Sequence, residues 1–301
     1  MDAACKMNSP LISIVIPTYN HAKFLRTALD SIIAQTIPDW EVIVVNNYSQ
    51  DETVSVVNSY KDPRIKLVNF SNHGIISASR NYGISITKAP LIAFLDSDDL
   101  WYPNKLSYCL NKLAQGYDFV CHAEAWIGPG ARRREVFYGP DSRATYRSLL
   151  LEGNCISTSA VVVKHEWIER VGGFSIEPEF VTAEDYELWL KLVKAGARIG
   201  FVGEILGEYH IHDGNQSRIA LRNMAAEMEV FLSHKNRFLE NINRQVINRR
   251  VALIYFGGAR GLQNSGNHWQ AWPLFFKAVV TYPWVSKFYA AMFLNALGRR
   301  P

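Results

Sequence analysis

Three carboxylates crowd into four residues at Asp96-Ser97-Asp98-Asp99, directly after the apolar run Leu91–Leu95. Ionised together they repel one another, and a cation relieves that repulsion. Hard oxygen ligands suit Mg2+ or Mn2+, which can bridge to phosphate oxygens. In an open parallel sheet, ligands gather outside the carboxyl ends of the strands, where this turn would lie. The competing reading is a solvated acidic turn before a helix that starts near Pro103. Two other polar turns also follow apolar runs. Pro17-Thr18-Tyr19-Asn20 comes after Leu11–Ile16. It offers the free N–H groups of a helix N-terminus near Lys23, and Tyr19 to lie against a base or sugar. The plain alternative is a turn with Asn20 as the N-cap. Asn46-Asn47-Tyr48-Ser49-Gln50-Asp51 comes after Trp40–Val45. An Asn amide both accepts and donates, which matches the N3–H and O4 edge of uracil or thymine. An Asx turn leading into a helix explains the same residues.

These turns need a frame to bring them together. Leu11–Ile16, Trp40–Val45, Ile65–Phe70 and Leu91–Leu95 are short, β-rich apolar runs and read as buried strands. Between them, Phe24–Ile33, Asp51–Tyr60 and Ile75–Ile86 read as helices; the first has one apolar stripe of Phe24, Leu25, Ala28, Leu29, Ile32 and Ile33. Strand alternating with helix predicts an α/β fold with a mostly parallel, Rossmann-like sheet flanked by helices. Later strands are expected at Phe119–His122, Ser159–Val163 and Arg198–Val202, and a helix at Ala183–Ala195. Gly128–Arg134 reads as an exposed loop, and the chain after Ser217 as wholly helical. The expected division is a tail at 1–10, a catalytic domain at 11–217 (halves 11–110 and 111–217), and a helical C-terminal region at 218–301.

Of 301 residues, 48% are hydrophobic and 20% charged, which excludes disordered, collagen-like and disulfide-scaffold chains. The net charge of +4 is unevenly placed. Residues 218–301 carry 12 Lys/Arg against 3 Asp/Glu, and the remainder 20 against 25. A basic tail on an acidic body suggests an anionic partner for the tail. Cys5, Cys109, Cys121 and Cys155 form no CxxC pair and no zinc spacing, as expected of a reducing compartment. The N-terminus does not read as a signal peptide, and no apolar run is long enough to span a bilayer, so a cytoplasmic place is expected. From Trp272 to Leu297, aromatic residues stand beside Lys277 and Lys287. With Arg249, Arg250, Arg299 and Arg300, that region is expected to meet an anionic membrane surface, or else to pack on the catalytic domain or a second copy. Basic residues interspersed with apolar ones, on an acidic body, argue against nucleic acid.

Taken in order, the motifs resemble the inverting nucleotide-sugar glycosyltransferases of family 2, which have the GT-A fold. The blocks are Ser13–Asn20, Ser31–Thr36, Glu41–Asp51, Ser79-Arg80-Asn81-Tyr82-Gly83, Phe94–Trp101, Val171-Gly172-Gly173-Phe174, Glu184–Trp189 and His212–Ser217. The resemblance implies that Pro17, Thr18 and Tyr19 contact the nucleotide and that Arg80 lies near it, balancing carboxylates or phosphate. Asn46 and Asn47 stand where most members have two aspartates; Asn47 takes the base-contacting place as a neutral amide. Asp96 and Asp98 match donor-binding positions. Asp98 and Asp99, with His212, match the metal and diphosphate positions, and His210 is an alternative to His212. Asp185 matches the catalytic base; from the helix alone it is an acid favoured by the dipole of a first turn.

The implied reaction moves a sugar from a nucleoside diphosphate to a hydroxyl, using Mn2+ or Mg2+. UDP is the first expectation for the nucleotide, with dTDP or GDP as alternatives. A saccharide or lipid-linked saccharide is the expected acceptor, in surface polysaccharide or glycan biosynthesis, and a homodimer is possible. Trp101, Trp126 and Trp189 read as packing residues before sugar platforms. Two rival classes stay open at this point: a phosphatase with Asp96 as nucleophile and Asp98 as acid, and a noncatalytic nucleotide or glycan binder.

Overall fold

The computed structural model describes residues 9–128, 130, 132–212, 219–238 and 242–299. Residues 1–8 of the expected tail at 1–10, Cys5 among them, the stretch 213–217 with the domain boundary at its end, and Arg300 lie outside the described residues. The elements run β1 (Ile12–Thr18), α1 (Ala22–Ile33), β2 (Trp40–Asn46), α2 (Thr53–Ser59), β3 (Ile65–Asn69), α3 (Ile76–Ser85), β4 (Leu91–Phe94), β5 (Leu100–Trp101) and α4 (Lys105–Leu113). They continue with β6 (Phe119–Gly128), β7 (Arg132–Val136), α5 (Tyr146–Glu152), β8 (Val161–Lys164), α6 (His165–Val171), α7 (Glu184–Lys194) and β9 (Ile199–His210). Last come α8 (Ala220–Phe238), α9 (Arg244–Asn264), α10 (His268–Thr281) and α11 (Ser286–Ala296).

The chain divides into two compact units. The first gathers residues 1–144, 155–174 and 191–211, and the second 145–154, 175–190 and 212–301. In the first unit the strand order is β3-β2-β1-β4-β8-β6-β9-β5, with β7 beside β6. The strands β3, β2, β1 and β4 are parallel, as their alternation with helices demands. Beyond β4 the sheet mixes directions: β8 is antiparallel to both β4 and β6, while β6 and β9 run parallel. Every residue of β1 and β2 is buried. Both faces are covered, which is why these strands are continuous apolar runs rather than alternating ones. Ile12, Ile14 and Ile16 share a core with Leu25, Leu29 and Ile32 of α1.

Two sequence expectations change. The Gly128–Arg134 region is not simply a loop: Arg132–Val136 pairs antiparallel with Glu124–Gly128 as a hairpin. Its burden of exposed arginines hides the strand, because charge is tolerated on an edge. The strand expected at 198–202 runs on to His210, with a register shift against β6 between His122 and Ala125. Glycines and polar residues along that stretch mask it, and such irregularities re-aim side chains near sites.

The second unit is helical among its described residues. Its inner surface holds Ala259, Leu262, Leu274 and Phe275, and a second cluster of Ala252, Ala278 and Phe288. Arg250, expected at a membrane surface, is buried instead. Its Nε donates to the carbonyl of Leu150 at 2.8 Å, and it pairs with Glu227 at 2.7 Å. No helix among the described residues is long and apolar enough to cross a membrane. Of the cysteines described, Cys109 and Cys121 are buried thiols that serve as small apolar groups.

The close approach of α3 to the sheet depends on one residue. A Cβ at Gly83 would lie 2.6 Å from Val15 Cγ1 and 3.1 Å from Val45 Cγ2. Both valines are immobile in fully buried strands. Gly83→Ala is therefore expected to destabilise the fold by about 1–3 kcal/mol, the usual scale of overpacking. Denaturant titration checks this; an unchanged midpoint would mean that α3 lies further from the sheet.

Candidate active site

The acidic turn sits at the carboxyl end of β4, and the structure gives each carboxylate a different fate. Asp96 accepts from Arg80 Nη2 at 2.7 Å. Arg80 is only 3% exposed, although it belongs to the middle of α3. Its guanidinium also lies 5.5 Å from the ring centroid of Phe174. Asp99 turns inward and is 2% exposed. One of its oxygens accepts from the Ser159 hydroxyl at 2.6 Å and the other from the His210 N–H at 3.0 Å. Burial, and then the charge of Asp98, raise its pKa well above the ordinary carboxylate range. Both oxygens of Asp99 are thus engaged in shaping the turn. Asp98 is half-buried. Its backbone carbonyl accepts from His210 Nδ1 at 2.8 Å, and the Nε2 of that ring lies 3.1 Å from Glu208.

The other two turns are laced to this one and to each other. His21 Nδ1 lies 2.8 Å from the Ser97 hydroxyl. Asn20 holds a left-handed backbone, φ 52°, which Asn tolerates. Its side chain accepts from the Gln50 N–H at 2.8 Å, and its own N–H donates to Ser49 Oγ at 2.9 Å. Asn47 N–H donates to the Thr18 carbonyl at 3.0 Å. Asn46 is buried and donates to the Asn69 side chain at 2.8 Å, so it braces the sheet edge. The Asn47 side-chain oxygen accepts from the Asn72 N–H at 3.1 Å, which leaves its amide nitrogen as the group with donors to offer. Pro17 and Thr18 are buried at the end of β1, whereas Tyr19 is half-exposed. Pro17, Thr18, Tyr19, Asn47, Arg80, Asp96 and Asp98 therefore belong to one edge of the first unit, at adjoining strand ends.

The remaining letters of the Ser79–Gly83 block hold that edge in place. Ser79 accepts from the Asn72 side chain at 2.9 Å. Asn81 makes two bonds with the backbone of Phe174, at 2.8 and 2.9 Å. A side chain at Gly173, where φ is +72°, would collide with Asn81. Tyr82 stacks on Phe70 at 4.5 Å. Only Arg80 turns from this framework to a carboxylate of the acidic turn.

Beneath the turn lies a buried polar cluster that sequence reasoning did not single out. Glu124 accepts from the Tyr138 hydroxyl at 2.6 Å. Lys105 is fully buried, with Nζ 3.4 Å from the centroid of the Trp101 ring, and burial lowers its pKa to about 8. His122 is likewise buried; burial first, then Lys105, pushes its pKa down to about 3. Ser159 ties the parts together: besides its bond to Asp99, it accepts from the Asp96 N–H at 3.1 Å. No local pattern marks these residues, because they come from α4, β6, the segment after β7 and the turn before β8, and meet only in the fold. Trp101 and Trp189 are buried and serve as packing; Trp126 is half-buried and donates to the Tyr138 hydroxyl at 3.2 Å.

In the second unit, Asp185 lies in the first turn of α7 with Glu184 and Glu187. Asp185 Oδ1 accepts from the Tyr186 N–H at 2.6 Å, and Glu184 accepts from the Thr182 N–H at 2.8 Å. Thr182 is held at φ 86°, a conformation that bulky residues rarely take. Tyr186 is buried and donates to the Leu149 carbonyl at 2.8 Å, while Arg250 Nη2 donates to its hydroxyl at 3.3 Å. Arg250 thus pins the segment that presents Asp185. His212, also of this unit, is half-buried.

Among the described residues, no three His, Cys, Asp or Glu side chains are grouped to hold an ion by themselves. A Mg2+-type ion is commonly held by one or two carboxylates, with substrate phosphates and water completing its shell. The hard oxygens of Asp98 and its neighbours fit an ion of that kind.

Comparison with known proteins agrees with this architecture. The profile of glycosyl transferase family 2 matches residues 13–172. An uncharacterized glycosyltransferase of Rickettsia typhi is 30% identical over 245 residues, covering 79% of this chain and 74% of that protein. The Escherichia coli UDP-Glc:alpha-D-GlcNAc-diphosphoundecaprenol beta-1,3-glucosyltransferase WfaP is 26% identical over 246 residues, covering 82% of this chain and 92% of its own. Among solved structures, a mannosyltransferase of Pyrobaculum calidifontis in complex with GDP-Man and Mn2+ superposes with a TM-score of 0.62 at 17% identity. It covers 97% of this chain and 86% of its own, so the fold is that of the GT-A glycosyltransferases.

The Glu124 carboxyl yields a pH prediction. Burial raises its pKa from 4.5 to about 7, partly offset by the bonds from Tyr138 and Ser157. The folded protein then holds a proton that the unfolded chain releases. Stability from this group is full below pH 4.5, falls as the pH rises toward 7, and stays lost above it. Glu124→Gln retains an acceptor for Tyr138 but cannot ionise. Its melting temperature should exceed the parent's at about pH 8 and converge with it at about pH 5. Parallel pH profiles for the two proteins would refute the assignment.

Proposed function

The chain belongs to glycosyl transferase family 2, and from that premise we propose that it moves a sugar from a nucleoside diphosphate to a hydroxyl acceptor in one metal-dependent, inverting displacement. It is a glycosyltransferase, so the phosphatase and noncatalytic readings are set aside. The observation that carries the finer reading is the division of labour in the acidic turn. Asp96 pairs with the buried Arg80, Asp99 is held inside by Ser159, and the half-buried Asp98 between them is the carboxylate we assign to a cation.

We assign the roles as follows. Pro17, Thr18 and Tyr19 bound the nucleoside, with the exposed Tyr19 ring against the base or sugar. Asn47 donates through its amide nitrogen to a carbonyl of the base. A neutral amide there suits a pyrimidine, and UDP is the donor nucleotide proposed first, in keeping with the donor named for the WfaP relative. Arg80 and Asp96 hold the ribose and diphosphate side. Asp98 is the carboxylate for Mn2+ or Mg2+, with His212 as a further ligand and Asp99 as a positioning residue. The ion, when bound, offsets negative charge that develops on the departing diphosphate.

Asp185 accepts the proton of the acceptor hydroxyl as that oxygen attacks the anomeric carbon. A new C–O bond forms on one face, and the bond to the diphosphate oxygen breaks on the other. One displacement inverts the anomeric centre, unlike the two-step route of retaining glycosidases. The acceptor is proposed to be a lipid-linked saccharide in surface polysaccharide synthesis, handled on the cytoplasmic side. Relatives named for colanic acid and teichuronic acid biosynthesis support that setting.

A panel of UDP-, dTDP- and GDP-sugars, with Mn2+ present and absent, tests the reading. Metal-dependent binding is expected for a UDP-sugar, and Asp98→Asn should remove the metal dependence. Asp185→Asn should keep donor binding while transfer falls by roughly 10²–10⁴, the typical worth of a general base. If every nucleotide sugar fails to bind with metal present, or if Asp185→Asn transfers at the parental rate, the mechanism is wrong.

A further inference from the structure

The last two helices each carry two apolar faces, and the fold uses only one of them. On α10, Ala271, Leu274, Phe275 and Ala278 are buried; on α11, Phe288 and Ala291 are. The opposite side of α10 shows Trp269, Phe276 and Val280, spaced for one helical stripe. The opposite side of α11 shows Tyr289, Phe293 and Leu297 in the same way. Trp284 stands in the connection between them. Trp269 is 85% exposed, and Val280 and Trp284 are each 83% exposed. Scattered apolar residues on a surface are ordinary, but a concentration of this kind marks a contact.

The charge around these faces indicates the chemistry of the partner. Residues 241–301 contain no Asp or Glu and eight Lys or Arg. Arg249 is exposed, and its charge acts on Lys287, whose pKa is lowered first by burial and then by this neighbour. Lys277 and Lys287 extend over the rings of Tyr255 and Phe256, at 5.5 and 5.4 Å. Cations beside exposed Trp and Tyr are the composition that settles at a bilayer interface. A second copy docked by the same face would bring one acid-free surface against another, which like-charge repulsion opposes. None of the described helices can span the membrane, so the contact would lie in the plane of the headgroups.

We propose that the outward faces of α10 and α11 dock this protein on an anionic lipid bilayer, with Trp269, Trp284 and Phe293 inserted among the headgroups and the surrounding lysines and arginines on lipid phosphate. The docking stands on exposure and charge alone and is independent of the sugar-transfer reading.

The test is flotation of the full chain with phosphatidylcholine vesicles, with and without about a third phosphatidylglycerol. Binding is expected only with the anionic lipid, and should weaken as salt is raised. Acyl chains brominated near the headgroup should quench tryptophan emission. The triple variant Trp269→Ser, Trp284→Ser, Phe293→Ser removes only exposed side chains, so its melting temperature should match the parent's. Its vesicle-bound fraction should fall about tenfold or more, because the buried apolar area is lost. Lys277→Glu with Lys287→Glu should also release the protein, whereas Asp185→Asn should bind vesicles like the parent. No flotation on anionic vesicles at low salt overturns the proposal. So does undiminished binding by a folded triple variant. Self-association abolished by the triple variant, without lipid binding, would identify a second copy as the partner instead.

Discussion

Three negative charges cannot share four residues without help, and the site is built around that constraint. Water alone would leave them all exposed and mutually repelling. The fold instead treats them unequally. A buried arginine takes Asp96, a hydroxyl and a backbone N–H take Asp99, and Asp98 stays half-buried. Each solution draws on a different part of the first unit: α3 supplies Arg80, the segment before β8 supplies Ser159, and the end of β9 supplies the N–H of His210. Removing Arg80 would leave Asp96 without its counter-charge, and removing Ser159 would leave the buried Asp99 carboxyl short of a hydrogen-bond partner.

The surrounding motif letters follow from the same demand. Arg80 reaches Asp96 only if α3 lies close against the sheet, and Gly83 permits that approach over Val15 and Val45. Asn81 fastens α3 to the backbone of Phe174, and Gly173 leaves room for it. The turns after β1 and β2 are cross-tied through Asn20, Ser49 and Asn47, so the strand ends form one framework rather than three loops. A side chain that must meet a ligand within a few tenths of an ångström needs support of this kind.

The second unit has its own internal anchor. Arg250 is buried between the carbonyl of Leu150, the hydroxyl of Tyr186 and the carboxylate of Glu227. An arginine can serve three acceptors at once because its donors are spread over a rigid plane. The result is a fixed start to α7, whose first turn carries the acids Glu184 and Asp185. The same stretch of basic sequence thus divides into an interior cation and a set of exposed ones.

Much of this architecture was legible in the residue order. The apolar runs of β1 to β4 and the helices between them announce a parallel sheet, because burial on both faces demands continuous hydrophobicity. Polar turns at the ends of those runs, ending in Asp96-Ser97-Asp98-Asp99, identify where chemistry would sit. Local patterns could not tell which of three adjacent aspartates is buried, that Arg80 is a core residue, or that Arg250 points inward. They also missed β7 and the extension of β9, whose polar residues conceal their pairing. The buried cluster of Lys105, His122, Glu124 and Ser159 was invisible for a related reason. Periodicity records which face of an element is apolar, whereas the partners of a buried charge are chosen by strands and helices distant in the chain.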